Sequence, residues 1–142
     1  MSRASSYRHE FVRSFPEPLG EGVLYISVEF GSAAHRCFCG CRHEVYTPLS
    51  PRDWMMIYDG ETVSLDPSIG NWSFSCQSHY WLVRGQVTWD RPWSVKQVEQ
   101  GRALDRIRKS REYRQTEPMV ELPAKMAEKN LLSRIWSVLS GR

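Results

Sequence analysis

Apolar runs rich in β-branched and aromatic residues recur between residues 23 and 89, and they predict a series of short β-strands. The first run covers residues 23–30 and stops at Gly31. A second strand is expected just before residue 37, and a third over residues 43–49. Residues 1–20 end in a stretch rich in Pro and Gly, so they are expected to form an irregular arm.

Two turn signals predict β-hairpins in the second half of this region. Asp59-Gly60 suits a two-residue type I′ turn because both central residues tolerate positive φ, and Arg84-Gly85 occupies a similar place in the next pair of runs. The flanking runs are residues 54–58 and 61–65 for the first hairpin, and residues 79–83 and 86–89 for the second. Residues 66–72 contain Pro, Gly and Asn and are expected to be irregular.

The pattern becomes helical after residue 92. Ser94 and Gln97 form a capping box, in which each side chain bonds to the other residue's backbone amide. This helix is expected to run to about residue 114, although Gly101 weakens it. A second helix is predicted over residues 123–139, where apolar residues recur on one face.

These elements predict a mainly β fold, α+β overall, in which a small antiparallel β domain carries two C-terminal helices. The expected segments are an irregular N-terminal arm over residues 1–20, the β domain over residues 21–92 and a helical appendage over residues 93–142.

Composition limits the classes of function. The chain has 142 residues, a hydrophobic fraction of 41% and a net charge of +3, which are typical of one ordinary globular domain. No apolar run reaches the roughly 18–20 residues that span a bilayer, and the N-terminus lacks the apolar run of a signal peptide. We therefore expect a cytoplasmic protein without membrane contact.

Four Cys and one His lie in two short groups whose spacing is typical of a zinc site. Cys37, Cys39 and Cys41 form the first group, and Cys76 and His79 form the second. Zinc takes four thiolate or imidazole ligands, and a tight turn lets neighbouring ligands converge on one ion. In the cytosol clustered Cys bind metal more often than they form disulfides. The sequence therefore predicts a β domain built around a Zn²⁺ ion.

Five candidate ligands compete for four positions. A strand-like alternation would place Cys37, Cys39 and Cys41 on the same face, whereas a turn at Gly40 would favour two of them and leave one as a spare thiol. The alternative, in which the thiols pack as small buried hydrophobes, does not explain the spacing of Cys76 and His79.

Several motifs, in order, resemble a bacterial family of small domains of unknown function. The family's members tend to be encoded beside ubiquitin-like proteins and their activating-like and conjugating-like enzymes. The resemblance covers roughly residues 23 to 90. The motifs are residues 37–41 (CFCGC), 45–51 (VYTPLSP), 63–72 (VSLDPSIGNW), 76–82 (CQSHYWL) and 85–89 (GQVTW).

The resemblance implies a metal-binding protein that processes or deconjugates a ubiquitin-like protein. In comparable operons a zinc isopeptidase commonly fills this role. The middle Cys of the first group is the most replaceable one in that family, so the resemblance favours Cys37, Cys41, Cys76 and His79 as the ligands.

A carboxylate beside the predicted metal makes hydrolysis possible. Glu44 lies three residues after Cys41 and is the candidate base for a zinc-bound water, with His43 and Ser78 as assisting groups. The leading hypothesis is a zinc-dependent peptidase or isopeptidase acting on a bacterial ubiquitin-like protein or its conjugates. Thiolate ligands reduce the Lewis acidity of zinc, so the alternative is a non-catalytic structural-zinc module that binds the conjugation enzymes.

Basic residues between positions 102 and 114 are the main feature that suggests another class of partner. Asp105 and Glu112 interrupt them and Glu99 precedes them, at spacings that allow ion pairs within a helix. A solvated helix face explains them better than nucleic-acid binding does.

Overall fold

Residues 2–116 of the protein are described in the computed structural model, and they form eight β-strands and one α-helix. The strands are β1 (Arg8–Phe11), β2 (Val23–Ser27), β3 (Ser32–Arg36), β4 (Glu44–Pro48), β5 (Met55–Tyr58), β6 (Val63–Gly70), β7 (His79–Val83) and β8 (Gln86–Trp89), and the helix is α1 (Val95–Thr116).

The strands form two four-stranded sheets, each in sequence order. The first sheet has the order β1-β2-β3-β4 and the second has the order β5-β6-β7-β8. Every neighbouring pair is antiparallel except β1 and β2, which run parallel. The predicted mainly β fold is thereby confirmed.

Alternating burial along the strands places one apolar core against both sheets. Leu24 and Ile26 of the first sheet belong to the same buried cluster as Val63, Leu65 and Leu82 of the second. All five side chains are almost fully buried. Burying apolar side chains is the main favourable term in folding, so this shared core joins the two sheets.

The N-terminal segment differs from the irregular arm expected for it. Residues 8–11 form β1, because their backbone pairs with β2 from Arg8↔Val23 to Phe11↔Ile26. Val12, Phe15 and Leu19 then contribute to a second apolar cluster that includes residues of β2. Segment 1–20 therefore covers β2, whose five residues are all buried.

One hairpin turn matches its prediction and the other is longer. Arg84 and Gly85 both have positive φ, 47° and 75°, and directly connect β7 to β8. In the first hairpin the loop covers residues 59–62, because the Asp59 carboxylate accepts the backbone N–H groups of Glu61 and Thr62. The predicted strand over residues 61–65 accordingly starts at residue 63.

The segment expected to be irregular between the hairpins is largely strand. β6 continues through residues 66–70, although Pro67 lies within it. Its pairing with β7 shifts register between Leu65 and Ile69, as happens where a bulge inserts unpaired residues. Pro67 has no backbone N–H to donate to the ladder, so it is tolerated at the bulge.

The helix begins with the predicted capping box. The backbone N–H of Gln97 donates to Ser94 Oγ at 3.3 Å, and Gln97 Oε1 accepts from the Ser94 backbone at 2.9 Å. The helix predicted over residues 123–139 lies outside the described residues. The chain divides into two compact units, Met1–Ile107 and Arg108–Arg142. Within residues 2–116 no helix is long and apolar enough to cross a membrane.

Candidate active site

Strand register brings three polar side chains together at one end of the second sheet. Gly70 pairs with His79 across β6 and β7, and Ser68 lies two residues earlier, which is a diagonal neighbour on the same face. Asp90 directly follows β8, and its backbone N–H donates to the His79 carbonyl at 3.0 Å. Ser68, His79 and Asp90 therefore meet because β6, β7 and the end of β8 are adjacent.

The His79 imidazole lies between a hydroxyl and a carboxylate. Its Nε2 is 2.9 Å from Ser68 Oγ, and its Nδ1 is 3.6 Å from Asp90 Oδ2. The second distance is slightly longer than a hydrogen bond, and within the described part of the chain Nδ1 has no closer partner. Such contacts are often long before substrate binds. The arrangement is that of a Ser-His-Asp triad.

Burial differs between His79 and Asp90. The His79 side chain is 2% exposed, whereas the Asp90 side chain is 37% exposed. The backbone N–H of Arg91 donates to Asp90 Oδ1 at 2.7 Å, and it is the main cause that holds the pKa of Asp90 below its usual value. His79 and the Trp81 side chain lower this pKa further. Asp90 is therefore a carboxylate at neutral pH and can balance a positive imidazolium.

Four thiols form a separate cluster beside this triad. Cys37, Cys39, Cys41 and Cys76 have Sγ atoms that all lie within 4.8 Å of one another. The backbone turns tightly here because Gly40 has a φ of 87°, and its N–H donates to the Cys37 carbonyl. Four close thiols could hold one metal ion.

Hydrogen bonds connect the cysteine cluster to the strand that carries His79. Ser78 Oγ lies 3.1 Å from Cys37 Sγ, and Asn71 Nδ2 donates to Ser78 Oγ at 2.9 Å. Burial raises the pKa of Cys76, but the side chain and backbone N–H of Ser78 outweigh it, so the pKa falls to about 7. Ser78, the residue directly before His79, is thus hydrogen-bonded to the cysteine cluster.

The structure corrects the predicted ligand set at His79. Both of its ring nitrogens face Ser68 and Asp90, whereas the compact thiol group contains all four Cys. Cys39, which the family resemblance had left out, joins the cluster.

Of the three residues predicted to be catalytic, His43 and Ser78 contact the thiols. Glu44 is exposed and accepts a hydrogen bond from Tyr46. His43 Nδ1 lies 3.2 Å from Cys41 Sγ, and its ring stacks on Phe74. Ser78 is buried and bonded as described above.

Sequence reasoning missed two members of the triad. Neither Ser68 nor Asp90 is among the residues that the sequence predicted to be catalytic. The available signal was a Ser, a His and an Asp at one end of successive strands, but the bulge in β6 concealed the register that joins Ser68 to His79.

Comparison with known proteins identifies the kind of chemistry. A family described as "Bacterial ubiquitination-like system serine protease (BubE)" matches residues 11–90, more than half of the chain. The match begins in β1 and ends at Asp90. No curated protein and no solved structure matches the chain.

The prediction of a zinc-dependent peptidase is wrong. The matching family is described as a serine protease family, and the hydroxyl that such an enzyme needs is present on Ser68 beside His79. The roles predicted for Glu44, His43 and Ser78 were parts of the zinc-dependent mechanism. The expected link to a ubiquitin-like system agrees with the family description. The chain belongs to the bacterial ubiquitination-like system serine protease (BubE) family.

Proposed function

We propose that this protein is a serine protease in which Ser68 is the nucleophile, His79 the general base and Asp90 the group that orients and charge-balances His79. The observation that carries the proposal is the 2.9 Å contact between His79 Nε2 and Ser68 Oγ, with Asp90 on the opposite ring nitrogen. A nucleophile, a base and an orienting group in this order define the triad independently of fold.

The reaction follows from these positions. Ser68 Oγ attacks the scissile carbonyl carbon while His79 Nε2 takes its proton. The resulting imidazolium gives that proton to the leaving amine, so the C–N bond breaks and an acyl ester on Ser68 remains. Water then attacks the ester, His79 accepts and returns a proton, and the carboxylic acid leaves. Asp90 stays ionised throughout, as its lowered pKa favours.

We infer that the substrate is a ubiquitin-like protein, either its precursor or its conjugate. The family description places its members in a bacterial ubiquitination-like system, and a protease in such a system has two bonds to cleave. One is a peptide bond after the modifier's mature C-terminus, and the other is an isopeptide bond to a lysine. Activating-like and conjugating-like enzymes are the further partners that this proposal implies.

We also infer that the four thiols hold one structural zinc ion. A tetrahedron with metal–sulfur distances of about 2.3 Å has sulfur–sulfur edges of about 3.8 Å. The distances are 3.3 Å for Cys37–Cys39, 3.6 Å for Cys41–Cys76 and 4.0 Å for Cys37–Cys76. Sites with four Cys are closed to water and stabilise the fold, so this ion would fix Cys76 and Ser78 and thereby the start of β7.

A fluorophosphonate probe tests the triad without knowledge of the natural substrate, because it reacts with an activated serine. The expected result is one label on the peptide that contains Ser68, and its loss in Ser68→Ala and His79→Ala. Ser73→Ala is the matched control, since Ser73 is exposed on the neighbouring loop and should label normally. Labelling of Ser78 instead of Ser68 would refute the assignment.

The substrate class needs a second assay. Purified parent protein and Ser68→Ala are incubated with a ubiquitin-like precursor that carries a C-terminal extension, and with a lysine-linked conjugate. The expected result is cleavage after the modifier's C-terminus by the parent protein alone. If the probe labels Ser68 but neither substrate is cleaved, the triad stands and the substrate inference fails.

A further inference from the structure

Two tryptophans pack against the His79 ring, whose nitrogens face Ser68 and Asp90. The His79 imidazole lies 5.0 Å from the Trp72 ring and 5.0 Å from the Trp93 ring, centroid to centroid. The interplanar angles are 57° and 77°, and the two indoles stack on each other at 5.3 Å and 20°. The imidazole thus contacts two indoles that also contact each other.

These two tryptophans come from different parts of the chain. Trp72 lies two residues after the end of β6, within the region that matches the protease family. Trp93 lies beyond that region, which ends at Asp90, and it directly precedes the capping box of α1. The ring that packs edge-on to His79 is therefore supplied by the extension that carries the helix.

Gly101 of α1 lies against the Trp93 ring. A Cβ atom built on Gly101 would lie 2.9 Å from Cζ3 of Trp93, which is closer than real Cβ contacts. Glycine is among the least favourable residues inside a helix, and its presence here leaves room for the indole. Trp93 therefore contacts both the first turns of α1 and His79.

We propose that Trp93 is a positioning residue of the triad and that Gly101 sets its place. This inference rests on the proposed serine protease function. The χ2 torsion of a His ring has a broad, roughly two-fold distribution, so Nε2 faces Ser68 consistently only if neighbours restrict the ring. Trp93 and Trp72, stacked on each other, both contact the ring and together supply that restriction.

The test measures how fast a fluorophosphonate probe labels Ser68, with the maximal rate kinact separated from the binding constant KI. In the full chain, Trp93→Ala should lower kinact by about tenfold or more, with KI changed less than threefold. Trp93→Phe, which keeps a ring, should restore kinact to within about threefold of the parent. Trp93 is 38% exposed, so both variants should remain folded, and thermal unfolding checks this.

Gly101→Ala separates positioning from stability. Alanine favours the helix, so a merely structural role predicts an equal or higher melting temperature and unchanged labelling. Displacement of Trp93 predicts at least a threefold fall in kinact with no fall in melting temperature. Gln100→Ala, an exposed neighbour on the same helix, is the control and should match the parent.

The outcomes distinguish this inference from the proposed function. Loss of labelling in Ser68→Ala together with slower labelling in Trp93→Ala and Gly101→Ala supports both. If Ser68→Ala loses labelling but kinact of Trp93→Ala stays within twofold of the parent, only the positioning role of Trp93 is overturned. Normal labelling of Ser68→Ala at another residue overturns the triad and, with it, the role of Trp93.

Discussion

Truncating Leu82 to Ala tests the claim that one core joins the two sheets. Leu82 is 1% exposed and pairs with Leu65 on β6 and with Val87 on β8. Both neighbours are buried in the same cluster. Leu82 thus lies in the middle row of the second sheet and faces the first sheet.

The expected loss of stability follows from this burial. Leu→Ala removes three carbon atoms, and about 0.8 kcal/mol for each buried methylene gives about 2.4 kcal/mol. Neighbours fixed by strand pairing relax little, so a cavity remains and adds to the loss. The total should be about 4 kcal/mol, within the roughly 2.7–5.0 kcal/mol typical of such substitutions.

The assay is guanidinium unfolding of parent and variant, followed by tryptophan fluorescence with zinc present in excess. Val83→Ala is the matched control, because Val83 is the next residue on β7 but is 44% exposed. It should lose no more than about 0.5 kcal/mol. A loss below about 1.5 kcal/mol for Leu82→Ala, or an equal loss for both variants, would refute the assigned core and strand orientation.

Three further predictions concern the site and one turn. Asp90→Asn should slow probe labelling of Ser68 by roughly 10²- to 10⁴-fold, because an amide cannot balance the imidazolium; labelling kinetics measure this. Removing metal with a chelator should release about one zinc per chain, lower the melting temperature and slow labelling of Ser68, because the cluster supports Ser78. Cys76→Ser should also lower the melting temperature and slow labelling. Elemental analysis measures the zinc content, and calorimetry measures the melting temperature. Amide donors, chiefly the Thr62 N–H, lower the pKa of Asp59 from 3.8 to about 2. The folded state therefore gains stability from this carboxylate above pH 3.8 and loses it as pH falls through about 2, so the stability difference between parent and Asp59→Ala should shrink over that interval in acid titrations.

Much of the fold could be predicted from patterns among neighbouring residues. The capping box at Ser94 and Gln97 and the turn at Arg84-Gly85 need only neighbouring residues, so the sequence alone reveals them. The strands were found because β-branched and aromatic residues recur in short runs. Their pairing into two sheets joined by one core depends on distant residues, which no local run specifies.

The sequence did not reveal Ser68 as a candidate site residue, for a physical reason. Pro67 and Gly70 made residues 66–72 look irregular, but pairing with β7 overrides these local preferences and continues β6 as a bulged strand. Ser68 reaches His79 only in that register. His79 also lies three residues after Cys76, which is a spacing typical of metal ligands. Its Nε2, however, faces Ser68.

The four thiols that the sequence singled out lie close together, and their geometry depends on tertiary contacts. Cys37 lies just after β3 in the first sheet, whereas Cys76 lies just before β7 in the second. Their convergence requires the packing of the two sheets, which spacing alone could not specify.

The order of the triad along the chain has a consequence for how the protein can vary. Ser68, His79 and Asp90 follow one another within β6, β7 and the residue after β8, an order unlike the Ser-Asp-His, His-Asp-Ser and Asp-His-Ser orders of other serine hydrolases. One continuous meander thus contains all three groups of the proposed triad. Insertions in the loops of the first sheet, away from the cysteine turn, leave these three groups in place. We therefore expect those loops to accept grafted recognition of a new modifier without loss of the triad's geometry.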